Sequence, residues 1–515
     1  MNRNLLILVL SFLFIDISAQ DYDLSASQYF DGEPFLAIDP HHSSHIIVAW
    51  MGFSVGSPFG IKTKVSFDRG NSWSATTFLP HVKPIYHSAD PSIVFDTAGY
   101  AYACYIDYKQ SPDSGGVWIA RSPDGGLTWA TPKHVIDVFS DGAKKPIDRP
   151  WFCINPVNND FYITTKPPSW VTLPNRPYFS VSKDAGATWT WRYLDTTAYL
   201  VGNLIAAPMA TPAVGGDGVV HAVYPSYVTS QNIRPGFIIA SSSSDGASFN
   251  YHAVGYSATP ASDSLAKQGY HLAVDPTNPN HLVFNFLNKQ NGDLDVFITE
   301  STNGGNTWGS FARVNDDAVG NGKMQDLPWC GFDNNGDLVV GWRDRRNAPG
   351  TGYQQAAEIW GAVKRKDSTS FSPNFRISDT IAPFNAQYLD TNGNDFMCID
   401  LRNDTMYAVW GDVRTGALNV WFSRRGMGGM ASTDIRLLTD DAVSAVSIYP
   451  NPVGSMLYFQ GNKVSDVIIT DLEGRTLLNA KVKEQSVNIS FLSKGLYNIQ
   501  LNTANGSATQ RFIKD

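Results

Sequence analysis

Three arginines are placed to hold an anion: Arg149 in "DRPW", Arg343 in "WRDRR" and Arg414 in "WGDVR". A guanidinium is a planar fork that fits a carboxylate, sulfate or phosphate, and three around one cavity would bind an acidic sugar. Arg345, Asp344 and Asp412 stand beside them, and "WRDRRN" is the densest polar segment of the chain. Cleaving a glycoside also needs a proton donor and a nucleophile. Asp90 and Asp148 are the candidate donors, with Asp107 a third. Tyr108 is the candidate nucleophile, with Tyr224 and Tyr227 as alternatives. His87 and His271 would be the bases if the reaction were a polysaccharide elimination. The competing reading pairs each arginine with its own neighbour, Asp148, Asp344 or Asp412, and gives all of them to structure.

These residues lie at the ends of short apolar runs, and a repeat sets where the runs fall. "SFDRGNSW" starts at Ser66, "SPDGGLTW" at Ser122, "SKDAGATW" at Ser182 and "STNGGNTW" at Ser301, with a shortened "SSDGASF" at Ser243. The intervals of 56, 60, 61 and 58 residues mark a repeat architecture. Within one repeat, "PSIVFD", "GYAYACYI" and "GVWIARS" read as successive strands leading into the octet. Sheets of this kind repeated around an axis make a β-propeller. Seven innermost-strand runs, from "PFLAIDP" (34–40) to "DFMCID" (395–400), predict seven blades over 21–428, with six the rival count. "LSASQYF" (24–30) is the expected closing strand. Acidic residues precede the innermost run in five blades, at Glu33, Asp90, Asp148, Asp326 and Asp395. Such carboxylates commonly bond neighbouring backbone, and a structural calcium ion held among them is the one cofactor to consider. No metal-ligand spacing appears otherwise.

The octet has a mechanical reading. Its Asp accepts backbone N–H groups of the turn, its Gly allows φ > 0, and its Trp packs between sheets. Asp68, Trp73, Asp124, Trp129, Asp184, Trp189, Asp245 and Trp308 are the residues concerned. The pattern resembles the Asp-box (BNR) repeat of the sialidase superfamily. That resemblance implies a propeller with the boxes on the face opposite the ligand site. It also implies a glycan, expected to be acidic, as the partner. Sialidases use an arginine triad, an Asp acid and a Tyr–Glu pair. Here the stretch that would carry the first arginine reads "GEPFLAIDP", so a non-catalytic propeller binding glycan or protein stands beside an exo-sialidase-type hydrolase.

After a linker over 429–444 the period ends. The tail, 445–515, alternates apolar runs with Gly turns and predicts a small β-sandwich. "YPNP", "DLEGR" and "KGLY" closely resemble the C-terminal sorting domain of type IX secretion cargo, which implies contact with that machinery and delivery to the surface or the medium. Residues 1–20 read as an export signal, with Arg3 before "LLILVLSFLF", a run too short to span a bilayer. A formal charge of −8 and the lack of any basic run argue against nucleic acid. The four cysteines, each inside an apolar run, are expected to be free thiols. A monomer with no membrane span is expected.

Overall fold

The computed structural model describes residues 21–109, 113–196, 208–228, 233–256, 269–386, 394–428 and 446–515, save 462, 472–474, 484, 504 and 505. The expected export signal over 1–20 and the expected linker over 429–444 therefore lie outside the described residues, as do the side chains of 226–235, Tyr227 among them.

Seven four-stranded antiparallel sheets follow one another along the chain, and they are the blades of a propeller. Blades 1 to 6 occupy 31–78, 87–137, 148–193, 211–256, 270–313 and 325–376. Blade 7 takes three strands from 398–426 and its outermost from Tyr22–Asp23, so the count is seven. The closing strand falls just before the segment expected from sequence: Tyr22 and Asp23 pair with Phe422 and Trp421. Past it, Leu24 N–H donates to Val420 O at 2.8 Å and Asp31 N–H to Leu418 O at 2.9 Å, leading the chain into blade 1.

The strand patterns follow from stacking. Second strands such as Ile46–Gly52 and Leu282–Asn288 are almost wholly buried, because each is covered on both faces by adjacent blades. They accordingly read as continuous apolar runs rather than as alternation. The axis itself is filled. Trp151 stacks on Trp329 at 4.9 Å, His271 on Trp329 at 4.1 Å, and Phe35 meets Trp329 edge-on at 5.5 Å.

The boxes hold the rim of the other face. In each complete copy the first Ser donates to the third-position Asp or Asn, and the seventh residue donates its amide to the same carboxyl or amide oxygen. Asp184, bonded first by the Thr188 hydroxyl and amide, is held down to about 2. The fifth-position glycines face the preceding blade. A Cβ on Gly126, at φ 98°, would meet Ile47 at 2.6 Å. Trp73 meets Phe422 of blade 7 at 5.0 Å, and Trp129 Nε1–H donates to Thr63 of blade 1 at 3.1 Å. The fourth box begins one residue earlier than the sequence suggested, at Ser242. Ser244 takes the third position, accepting Ser248 N–H at 3.2 Å. Asp245 sits at the fourth, at φ 52°, and accepts instead from Tyr162 Oη at 2.8 Å and Lys183 Nζ at 2.7 Å. It is not the box carboxylate.

The tail forms a three-stranded sheet and a four-stranded one around a separate core that includes Val467, Ile469, Ile499 and Phe512. Its sandwich is closed by strand Gly506–Lys514, an edge strand paired to Gly495–Thr503. All four cysteines are free thiols.

Candidate functional site

One irregularity recurs in the innermost strands. The ladder shifts between Gly32 and Phe35, Ala89 and Ser92, Asp148 and Trp151, and Asp326 and Trp329. At each bulge the residue before a proline lies in the left-handed region: Glu33 (φ 56°), Asp90 (φ 53°), Arg149 (φ 48°) and Leu327 (φ 51°). A non-glycine residue there is strained, at a cost on the order of 1–3 kcal/mol, and such strain collects at functional sites. Three of the four bulges carry charged side chains, and they come from consecutive blades.

Those three meet at the channel mouth. Arg149 N–H donates to Asp90 Oδ2 at 3.1 Å. The Arg149 guanidinium reaches Asp395 of blade 7 at 2.6 Å and Met209 of blade 4 at 3.6 Å. Lys166, at the end of a blade 3 strand, donates to Asp148. Burial, and then the Asp148 charge, push the half-buried Asp90 carboxyl up to about 6. Burial and the charges of Asp90, Asp148 and Glu33 push the Tyr108 phenol up to about 12. Beneath lies a narrow cavity lined by Arg149, Trp151, Met209, Tyr270, Trp329 and Asp395. The mouth is thus a set of carboxyl groups and one guanidinium set over an aromatic floor.

Bulge geometry also sorts the acidic residues that sequence had placed together. Glu33 and Asp90 share one position with Arg149 and Leu327, whereas Asp148 and Asp326 fall one residue earlier. At the bulge that single step changes the partner, although Asp148 stays close enough for its charge to raise Asp90 and Tyr108. Asp148 meets Lys166, and Asp326 meets Arg343 and Arg345.

Among the arginines only Arg149 belongs to the mouth. Arg343, 4% exposed, forks onto Asp326 with its Nε at 2.8 Å. Arg345, 1% exposed, bonds Asp326 at 3.1 Å and the Tyr353 carbonyl at 2.6 Å. Arg414 is part of a clip that occurs twice. In blade 7, Trp410 Nε1–H donates to Asp412 at 2.9 Å, Arg414 Nε–H donates to the same carboxylate at 2.9 Å, and the guanidinium lies 4.2 Å over Trp421. In blade 6, Trp342, Asp344, Arg346 and Trp360 repeat it, with contacts of 2.6, 3.0 and 4.0 Å. The shared spacing, W-x-D-x-R, was readable in "WRDRR" and "WGDVR". Arg414 Nη1 further bonds Asp21 at 2.8 Å and Asp379 at 2.7 Å, tying the segment that leads into the closing strand to blades 6 and 7. The expectation that three guanidiniums would converge on one ligand does not fit this geometry.

The remaining candidates are spoken for. Asp107 accepts from Ser88 Oγ at 2.8 Å and Val82 N at 2.7 Å. Tyr224 is buried on Asp195 at 2.6 Å. His87 Nδ1 accepts from Phe59 N–H at 3.3 Å. His271 lies between tryptophans, and burial pushes it down to about 3, too weak a base near neutral pH.

Residues 447–515 match the secretion system C-terminal sorting domain. The sorting domain directs the chain through type IX secretion to the cell surface or the extracellular space. No curated protein matches the chain. The chain is similar to many solved structures, among them the following three. A Dyadobacter fermentans protein of unknown function is 15% identical with a TM-score of 0.44, over 67% of this chain and 97% of that one. A phage phi92 endosialidase is 11% identical with a TM-score of 0.47, over 92% and 76%. The NanB sialidase of Streptococcus pneumoniae is 11% identical with a TM-score of 0.40, over 79% and 70%.

Proposed function

We propose that this exported propeller binds and cleaves a glycan at the channel mouth, with Asp90 as the proton donor. The observation that carries the reading is the strained Asp90, lifted to about 6 beside Glu33 and Asp148. A general acid works best with its pKa near the working pH, and a carboxyl lifted by burial and a like charge is how glycoside-cleaving sites obtain one. Carboxylates around the mouth also suit a sugar, whose hydroxyls they can bond, while the aromatic rings beneath are packed on one another and support the rim from below.

Charge narrows the ligand. Glu33, Asp90, Asp148 and Asp395 outnumber Arg149 and Lys166, and both cations already have carboxylate partners. An acidic sugar would have to take Arg149 from Asp395, exchanging one ion pair for another inside a negative rim. The mouth therefore favours a neutral glycan over the acidic one expected from sequence.

Binding without turnover is the second reading. It is favoured by the Tyr108 phenol, which at about 12 is a poor nucleophile. A glycan array combined with a turnover screen on neutral and acidic glycosides separates the two. Turnover lost in Asp90→Asn, with retention on the array, is the outcome expected for the enzyme. Retention without turnover in the wild type would leave the binding reading. Neither signal would remove the premise of both.

A further inference from the structure

The box face of blade 1 carries a polar socket that none of the channel chemistry uses. Asp39, 1% exposed, ends the first strand of the blade and is oriented by the propeller itself: its Oδ1 accepts His41 N–H at 2.8 Å and His42 N–H at 3.2 Å. His45, also 1% exposed, stacks on Phe67 at 4.7 Å. Its Nε2–H donates to the carbonyl of Gly125, in the blade 2 box, at 2.7 Å. With that proton on Nε2 and burial keeping the ring neutral, Nδ1 is an acceptor that lies 3.1 Å from Asp39 Oδ2, so the two need a shared donor.

A side chain from the sorting domain fills the socket. Arg511 Nη1 donates to Asp39 Oδ2 at 3.0 Å and to His45 Nδ1 at 3.1 Å, and Nη2 donates to His42 Nδ1 at 2.8 Å. Its Nε–H is held by Asn498, its cross-strand partner, at 3.1 Å, so the tail aims the fork before it docks. Backbone closes the walls. A Cβ on Gly125 would stand 3.5 Å from Leu496, and one on Gly99 would stand 3.8 Å from Arg511 Nη2. Only a guanidinium serves all of these acceptors at once, since an ammonium is a point donor without the planar fork.

We propose that this socket is a docking site whose occupant is the sorting domain of the same chain, so that the tail rests against the propeller through one arginine until it is displaced or removed. Recognition of the tail by the export machinery then competes with an internal partner. The two domains have separate cores, so breaking the contact leaves both folded.

Small-angle X-ray scattering on the full chain tests this, with wild type, Arg511→Ala, Arg511→Lys and Arg511→Glu compared at neutral pH and thermal melting as the check on folding. A compact wild type is expected, with a larger radius of gyration in all three variants, greatest for Arg511→Glu, at unchanged melting of the propeller. A wild type already extended overturns the proposal. So does an Arg511→Glu chain that melts normally and scatters like wild type.

Discussion

The backbone N–H of Arg149 donates to the carboxylate of Asp90 at 3.1 Å, joining the strained residue of one blade to its counterpart in the next. Both lie before a proline on a bulge, so the contact links two copies of one structural event. The bond and the Arg149 charge favour the ionised carboxylate, but burial and the Asp148 charge outweigh them and lift Asp90 to about 6.

That lift has a stability sign. A carboxyl whose folded pKa lies above its unfolded value makes the folded state bind the extra proton, so stability falls as pH rises from about 4 to 6. Asp90→Asn removes the penalty. The variant should be more stable than wild type by about 3 kcal/mol above pH 6 and nearly equal to it near pH 4. Urea unfolding at both pH values measures this. If the mouth is catalytic, the same variant should lose about 100-fold or more in kcat, the usual range for a general acid. A variant neither stabilised at high pH nor slowed would show that Asp90 carries no special proton.

Arg414 should matter to folding and not to the ligand. Its guanidinium satisfies Asp412, Asp21 and Asp379, so Arg414→Ala leaves buried carboxylates unpaired at the ring closure. A loss of about 3 kcal/mol in chemical denaturation is expected, as for breaking a buried ion pair. Molecules that remain folded should retain glycan like wild type. Loss of glycan at unchanged stability would return Arg414 to the ligand site.

The repeat could be read from sequence because it is local. Each box satisfies its own turn, so its chemistry reappears at every copy, and the apolar second strands announce themselves by composition. The mouth was harder. The pairs Glu33-Pro34, Asp90-Pro91, Arg149-Pro150 and Leu327-Pro328 stand in plain view. The residue before a proline is, however, ordinarily extended, and the sign of φ is not written in the letters. Without the bulge, Asp148 and Arg149 look interchangeable, although one residue decides which of them faces Lys166 and which faces Asp395. Asp245 misled for a related reason, since an Asp beside a Gly reads as the box carboxylate when Ser244 holds that place.

The fourth box offers a check on that register. Ser244→Ala removes the acceptor for Ser248 N–H and should cost about 1 kcal/mol. Ser244→Asp, which restores the common pattern, should raise the melting temperature. Asp245→Ala acts elsewhere, freeing Lys183 and Tyr162. A box weakened by Asp245→Ala and untouched by Ser244→Ala would reverse the assignment. Trp129→Ala, in the second box, removes a half-buried ring and should cost about 2–3 kcal/mol, less than a fully buried one.

Export should depend on the tail and not on the propeller. A chain ending near Thr439 retains every strand of the seven blades and lacks the whole 447–515 match. The blades close on themselves through Tyr22–Asp23, so the truncated chain should fold and melt like the propeller of the full protein. Without the sorting domain it should remain in the periplasm, whereas the full chain reaches the surface or the medium. Fractionation with an antibody to the propeller measures the partition, and a melting curve on the periplasmic pool shows that the protein is folded there. Equal surface delivery of the truncated chain would mean that the propeller carries an address of its own.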